Sequence, residues 1–218
     1  IAEQLLLPTL ARCNNKSLED SHTATIHIGG RYFDHFLKIF DSTKAFTINK
    51  KVACITDRDP TRKNKTTNDS AKKCYPFEVE LDNTYEYSTH ATELISKYSA
   101  HPNIRFFSQH TVYGKTLEYQ LMFDNPSCKL LITESTINQD EIASIEKAYA
   151  EGHDVDYVIA KNLMLKSAEN ERILKSLKDC KGLDWDDSSK MKALLAARYL
   201  NSVGKGGNAL EIADKLEM

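Results

Sequence analysis

The sequence predicts an α/β fold in which a parallel sheet is flanked by helices, with an all-helical block inserted or appended. Three observations predict it. Strand-like and helix-like patterns alternate from residue 23 to about residue 123. The run Lys51-Val-Ala-Cys-Ile-Thr56 is apolar nearly throughout, as expected of a strand buried on both faces of a parallel sheet. From about residue 138 onward the apolar spacing is helical without interruption.

Taken in order, residues 2–13 read as an amphipathic helix with Leu5, Leu6, Pro8 and Leu10 in its first turns. Thr23-Ala-Thr-Ile-His-Ile28 alternates and stops at Gly29-Gly30, which predicts a short strand. Tyr32 to Phe40 places Phe33, Phe36, Leu37 and Phe40 at helical spacing. The strand 51–56 is followed by a long polar loop, 60–76, then a helix at 86–99 and a strand at 103–107. Gly114 introduces a further helix ending near Phe123. Helices are expected near 139–150, 154–179 and 187–203, with breaks at Gly182 and Gly204, and a last one at 209–216. The expected division is a core at 1–133, a helical subdomain at 134–203 and a terminal segment at 204–218.

Composition excludes several classes. The 218 residues are 41% hydrophobic and 28% charged, ordinary for a soluble globular chain. No run is long and apolar enough to read as a membrane span. A formal net charge of −2 means that any nucleic-acid surface must be local. The five cysteines, Cys13, Cys54, Cys74, Cys128 and Cys180, are odd in number and form no CxxC pair. That speaks against a disulfide framework and a zinc ribbon, and for the reducing cytoplasm. The opening IAEQLLLPTLAR lacks the basic start of a secretory signal and begins in mid-pattern, which reads as a segment of a longer protein.

The chemistry is expected at Asp57-Arg58-Asp59, directly after the strand 51–56. Ligands of open α/β sheets bind at the carboxyl ends of strands. Two carboxylates one residue apart repel each other unless a cation neutralises them. The natural occupant is a hard divalent ion such as Mg²⁺. A solvated turn is the alternative, since Asp and Pro are common turn residues. Glu118 would face this pair if the strands 51–56 and 103–107 are neighbours; otherwise it is an exposed first-turn glutamate favoured by the helix dipole. Lys205, among Gly204, Gly206 and Gly207, reads on its own as a lysine near a helix C-terminus, or else as a cation that a glycine loop delivers to a phosphate. Arg58, Arg62, Lys63, Lys65, Lys72 and Lys73 form a local basic segment able to track a nucleic-acid backbone. Gly114-Lys115-Thr116 imitates the end of a nucleotide loop, but Gln109 stands where the first glycine is required, so no nucleotide site is expected. Neither HExxH nor GxSxG occurs, which leaves zinc-hydrolase and serine-hydrolase readings without support.

The order IAEQLLLPTL, IHIGGRYF, VACITDRDP, GKTLEYQLM and VGKGGNALEIADKL resembles the Toprim nuclease region of the overcoming-lysogenisation-defect (OLD) family, which includes Gabija-type nuclease subunits. The resemblance implies a Toprim-like Rossmannoid sheet and a DNA endonuclease using two divalent ions, Mg²⁺ or Mn²⁺, with Ca²⁺ a possible substitute in crystals. Glu3 resembles the second acid of the family's ExxxE pair, whose first acid would precede Ile1. Asp57 and Asp59 match its DxD, and Glu118 its helix acid, with Gln120 where the family usually has Asp. Lys205 matches its catalytic lysine, although Gly207-Asn208 replaces the usual arginine and aromatic residue. Glu3, Asp57, Asp59 and Glu118 would hold metal, while Glu118 and Lys205 would be catalytic. The resemblance further implies an upstream ABC-type ATPase domain, DNA as partner, a helicase-like partner protein, homo-oligomers and a role in phage defence. A Toprim domain of topoisomerase or primase type and a non-catalytic interaction module are the alternatives.

Overall fold

A computed structural model describes residues 2–30, 32–67, 69–79, 84–180 and 184–217. It is a mixed α/β structure whose parallel strands are flanked by helices. The chain forms two compact units, one built from residues 27–76 and 82–116, the other from 1–26, 77–81 and 117–218.

In the first unit, β1 (Val52–Ile55) pairs in parallel with β5 (Ile104–Phe107), with Cys54 opposite Phe106. Helices α2 (Phe33–Phe40) and α3 (His90–Lys97) supply Leu37 and Leu94 to a core with Cys54, Ile104 and Phe106. Phe33 meets Phe106 edge-on at 5.0 Å, and Tyr98 packs on the same ring. Asn103 fastens the strand starts by donating to Phe40 O at 2.7 Å and Lys50 O at 2.6 Å. The expectation that the strand 51–56 is buried on both faces is overturned: Ile55 is 42% exposed and its neighbour Phe107 is 54% exposed. Only the face carrying Cys54 and Phe106 is buried, so an apolar run here marks a strand without marking two covered faces.

The polar segment 60–76 contains two short strands, β2 (Thr61–Asn64) and β3 (Lys72–Lys73), which join β4 (Tyr85–Ser88) in an antiparallel sheet of order β3-β2-β4. Its pairs are polar, including Arg62 with Lys72, Arg62 with Tyr87 and Lys63 with Glu86. No apolar alternation announces such a sheet. The helix expected at 86–99 is shorter. Tyr-Glu-Tyr-Ser takes strand geometry, as aromatic alternation favours, and Thr89 then caps α3 by accepting from Thr92 N. The strand expected at 23–28 is absent: those residues have no regular structure, and Ile26 is 68% exposed. Alternation alone makes no strand without a neighbour to bond.

In the second unit, α8 (Asp187–Leu200) is central. Met191, Ala193 to Ala197 and Tyr199 on it are fully buried, against α4 (Leu117–Asp124) and α5 (Gln139–Ala150). Phe123 of α4 lies 5.8 Å from the ring of Trp185. Helix α1 (Ala2–Cys13) packs on α9 (Lys205–Glu217), where Glu217 accepts from Thr9 and pairs with Arg12. The single helix expected at 154–179 is two: α6 (Val155–Ala160) and α7 (Ala168–Lys178). Asn162 in left-handed geometry (φ 50°) follows the first, and Ser167 caps the second. The break expected at Gly182 lies outside the described residues. Among the described residues no helix is long and apolar enough to cross a membrane.

Candidate metal centre

The acidic turn leaves β1 in the direction of its carboxyl end. Thr56 still donates its N–H to Phe107 O at 3.1 Å, which continues the strand pairing. The chain then bends, and one side chain fastens the bend: Gln109 Nε2 donates to Asp57 Oδ1 at 2.8 Å, while Gln109 Oε1 accepts Arg58 N–H at 2.9 Å. Nothing in the sequence around Gln109 announces this role. Its role arises because β1 and β5 run in parallel, so the segments leaving them lie side by side.

Asp59 sits in the left-handed region with φ 39°, costly for a residue with a Cβ. Its N–H donates to Lys115 O at 3.0 Å. Its carboxylate meets two ammonium groups, Lys73 Nζ at 3.0 Å from Oδ2 and Lys115 Nζ at 3.9 Å from Oδ1. Lys115 is buried; its Nζ also donates to Cys74 O at 2.8 Å and lies 4.8 Å from the Tyr75 ring centroid. Gly114, the residue before it, has no room for a side chain, because a Cβ there would lie 2.4 Å from His110 O.

Arg58 belongs among the buried residues, with Nη2 3.5 Å from Thr92 Oγ1, and burial lowers its pKa. Its guanidinium is thus turned toward α3, unlike the exposed lysines of the same segment. Lys63, Lys65, Lys72 and Lys73 are exposed. Arg62 is half-buried, with its guanidinium 5.2 Å from the Tyr85 ring centroid.

In the other unit, Glu118 occupies the first turn of α4 and is 5% exposed. Lys205 Nζ stands 3.4 Å from Glu118 Oε2. Lys205 is the first residue of α9, so the reading that placed it near a helix C-terminus is overturned. A cation at the positive end of a helix is disfavoured by the dipole, and the Glu118 carboxylate offsets that. One turn further along α9, buried Asn208 accepts from Thr133 Oγ1 at 2.7 Å and donates to Tyr199 Oη at 2.6 Å. Burial pushes the Tyr199 phenol up to about 12, against the Asn208 hydrogen bond and with the Glu118 charge adding to the rise. Glu3 is half-buried in the first turn of α1.

The acidic candidates are all hard oxygen donors, the chemistry that Mg²⁺ and Mn²⁺ take. Asp59 already draws two cationic groups, and Glu118 Oε2 is buried with no hydrogen bond among the described residues. Each carboxylate, Asp59 in one unit and Glu118 in the other, has by itself the oxygen-donor chemistry of a divalent-ion ligand. Among the described residues, no three His, Cys, Asp or Glu side chains stand ready as a cage.

Residues 1–59 match a family described as "Overcoming lysogenization defect protein-like, TOPRIM domain". The matched stretch contains Glu3, Asp57 and Asp59 but neither Glu118 nor Lys205, which rest on motif resemblance alone. The match suggests a metal-binding, nuclease-type role for that stretch. No curated protein and no solved structure matches the chain.

Proposed function

With residues 1–59 carrying the Toprim sequence of OLD-like proteins, we propose that the chain is a metal-dependent DNA endonuclease. The observation that carries this reading is the turn Asp57-Arg58-Asp59 at the end of β1, which lies in the matched stretch and is fastened by Gln109 and Lys115.

Asp57, Asp59, Glu3 and Glu118 would hold Mg²⁺ or Mn²⁺. The ions would supply an acidified water and neutralisation of the phosphate, in a two-metal arrangement. Gln109 donates to one oxygen of Asp57 and so fixes the orientation of its carboxylate. The strained backbone of Asp59 is held by the Lys115 carbonyl, so its carboxylate is placed before substrate arrives. Glu118 and Lys205 form one acid–base pair. In the reaction Lys205 would shift from Glu118 to the phosphate oxygen whose charge grows in the transition state, while Glu118 stays as an oxygen ligand. The exposed Lys63, Lys65, Lys72 and Lys73, with Arg62, would neutralise backbone phosphates without reading bases.

The division 1–133, 134–203 and 204–218 belongs to this reading, with the last segment returning Lys205 to the core. So do a cytoplasmic location, an upstream ABC-type ATPase domain, a helicase-like partner, homo-oligomers and a place in phage defence. The test is incubation with supercoiled plasmid in Mg²⁺ or Mn²⁺, with and without chelator. Metal-dependent nicking is expected. Relaxation to intact closed circles would favour a topoisomerase instead, and an unchanged plasmid would favour a non-catalytic module.

A further inference from the structure

Asp59 faces two lysines that differ in every respect except charge. Lys115 has a side chain only 8% exposed, and its ammonium is shared among Asp59, the Cys74 carbonyl and the Tyr75 ring. Its own carbonyl receives the Asp59 N–H, so the two residues are tied at backbone and side chain alike. The glycine before it admits no Cβ, which fixes the path of this segment. Lys73 lies on the two-residue strand β3, and its side chain is 70% exposed. It reaches Asp59 Oδ2 at 3.0 Å with most of its length in water. Exposed pairs of that kind are weak and exchange readily. Buried, multiply bonded ammonium groups do not, because leaving would strand their partners.

We propose that Asp59 carries two counter-cations with separate tasks. Lys115 is a permanent one that positions the carboxylate. Lys73 is an exchangeable one that yields its place to a divalent ion and passes to a DNA phosphate. The inference rests on the metal-centre reading above and adds to it a coupling: metal entering at Asp59 releases a cation for the substrate. It also explains how Asp59 stays compatible with the fold before metal binds, since a half-buried carboxylate beside Asp57 would be costly without a counter-charge.

The experiment is calorimetric titration of the 218-residue chain with Mn²⁺ alone, comparing wild type, Asp59→Asn, Lys73→Met and Lys115→Met. Asp59→Asn should lose most of the binding. Lys73→Met should bind Mn²⁺ about two- to five-fold tighter, because a competing cation of surface-pair strength is gone. Lys115→Met should bind roughly ten-fold or more weaker, as loss of an outer-shell partner does, although a positive charge has been removed. Positioning and simple charge competition thus predict opposite signs at Lys115. In a second readout, Ca²⁺ should steepen the salt dependence of duplex DNA binding by about one phosphate contact in wild type and leave Lys73→Met unchanged.

Unaltered or weaker Mn²⁺ binding in Lys73→Met, with Asp59→Asn still impaired, would overturn the exchange while leaving the metal centre standing. Tighter binding in Lys115→Met would overturn the positioning task. If Lys115→Met does not fold by circular dichroism, Lys115→Arg decides: weakened Mn²⁺ binding supports positioning, and wild-type binding refutes it. Wild-type binding in Asp59→Asn would remove both this inference and the metal assignment beneath it.

Discussion

Asp57 and Asp59 are separated by one residue, and their mutual repulsion is relieved differently at each. An amide hydrogen bond serves Asp57, and two ammonium groups serve Asp59. A divalent ion would relieve what remains, so Mg²⁺ should raise the melting temperature of wild type and raise it less in Asp57→Ala. Equal rises in the two proteins would count against the site. Gln109 offers a second test at this scale, because Gln109→Leu removes the donor to Asp57 and the acceptor of Arg58 N–H together. The loss should cost about 1–3 kcal/mol in urea unfolding. Glu118→Gln and Lys205→Ala act on the other acid–base pair. Each should leave circular dichroism unchanged while nicking in Mn²⁺ falls on the order of 10²–10³-fold. Wild-type nicking by either variant would exclude it from catalysis.

The small antiparallel sheet sets Arg62 directly opposite Lys72, a pairing of like charges that strands ordinarily avoid. A polyanion lying over the sheet would turn that repulsion into attraction. Neutralising Lys63, Lys65, Lys72 and Lys73 together should therefore weaken DNA binding about equally across sequences and flatten its salt dependence. An unchanged slope would show that the sheet is merely solvated. Helix α8 carries the packing of its unit, with a run from Ala193 to Ala197 fully buried. Small side chains let neighbouring helices approach closely, and Leu194 fills the space that remains. Leu194→Ala should destabilise by about 2–5 kcal/mol, read as a lower unfolding midpoint.

At the scale of the whole molecule, a contributor to acid stability lies at the end of α2. The hydroxyl of Thr43 holds the Asp41 carboxyl down to about 2 from its ordinary 3.8, with the Thr43 N–H and His101 acting in the same direction. A depressed folded-state value means that this contribution is present above the unfolded value and is lost as pH falls through about 2. The stability difference between wild type and Asp41→Asn should therefore shrink between pH 4 and pH 2; a pH-independent difference would refute the linkage.

Local chemistry made several features readable from the chain alone. Val52 to Ile55, Ile104 to Phe107, α1, α5 and the acidic turn were visible because a strand, a helix period or a pair of acids is encoded within a few neighbouring residues. Where the outcome depended on partners distant in sequence, tertiary structure decided. Thr23 to Ile28 found no strand to bond, whereas the polar residues 61–64 found two. Arg58 was drawn inward to Thr92, and Gln109 was brought to Asp57 by the parallel register of β1 and β5. Lys205 became the start of a helix, with its charge balanced by Glu118 from another element. The physical reason is common to all of these: sequence fixes what a residue can bond, and packing fixes which partner comes within reach.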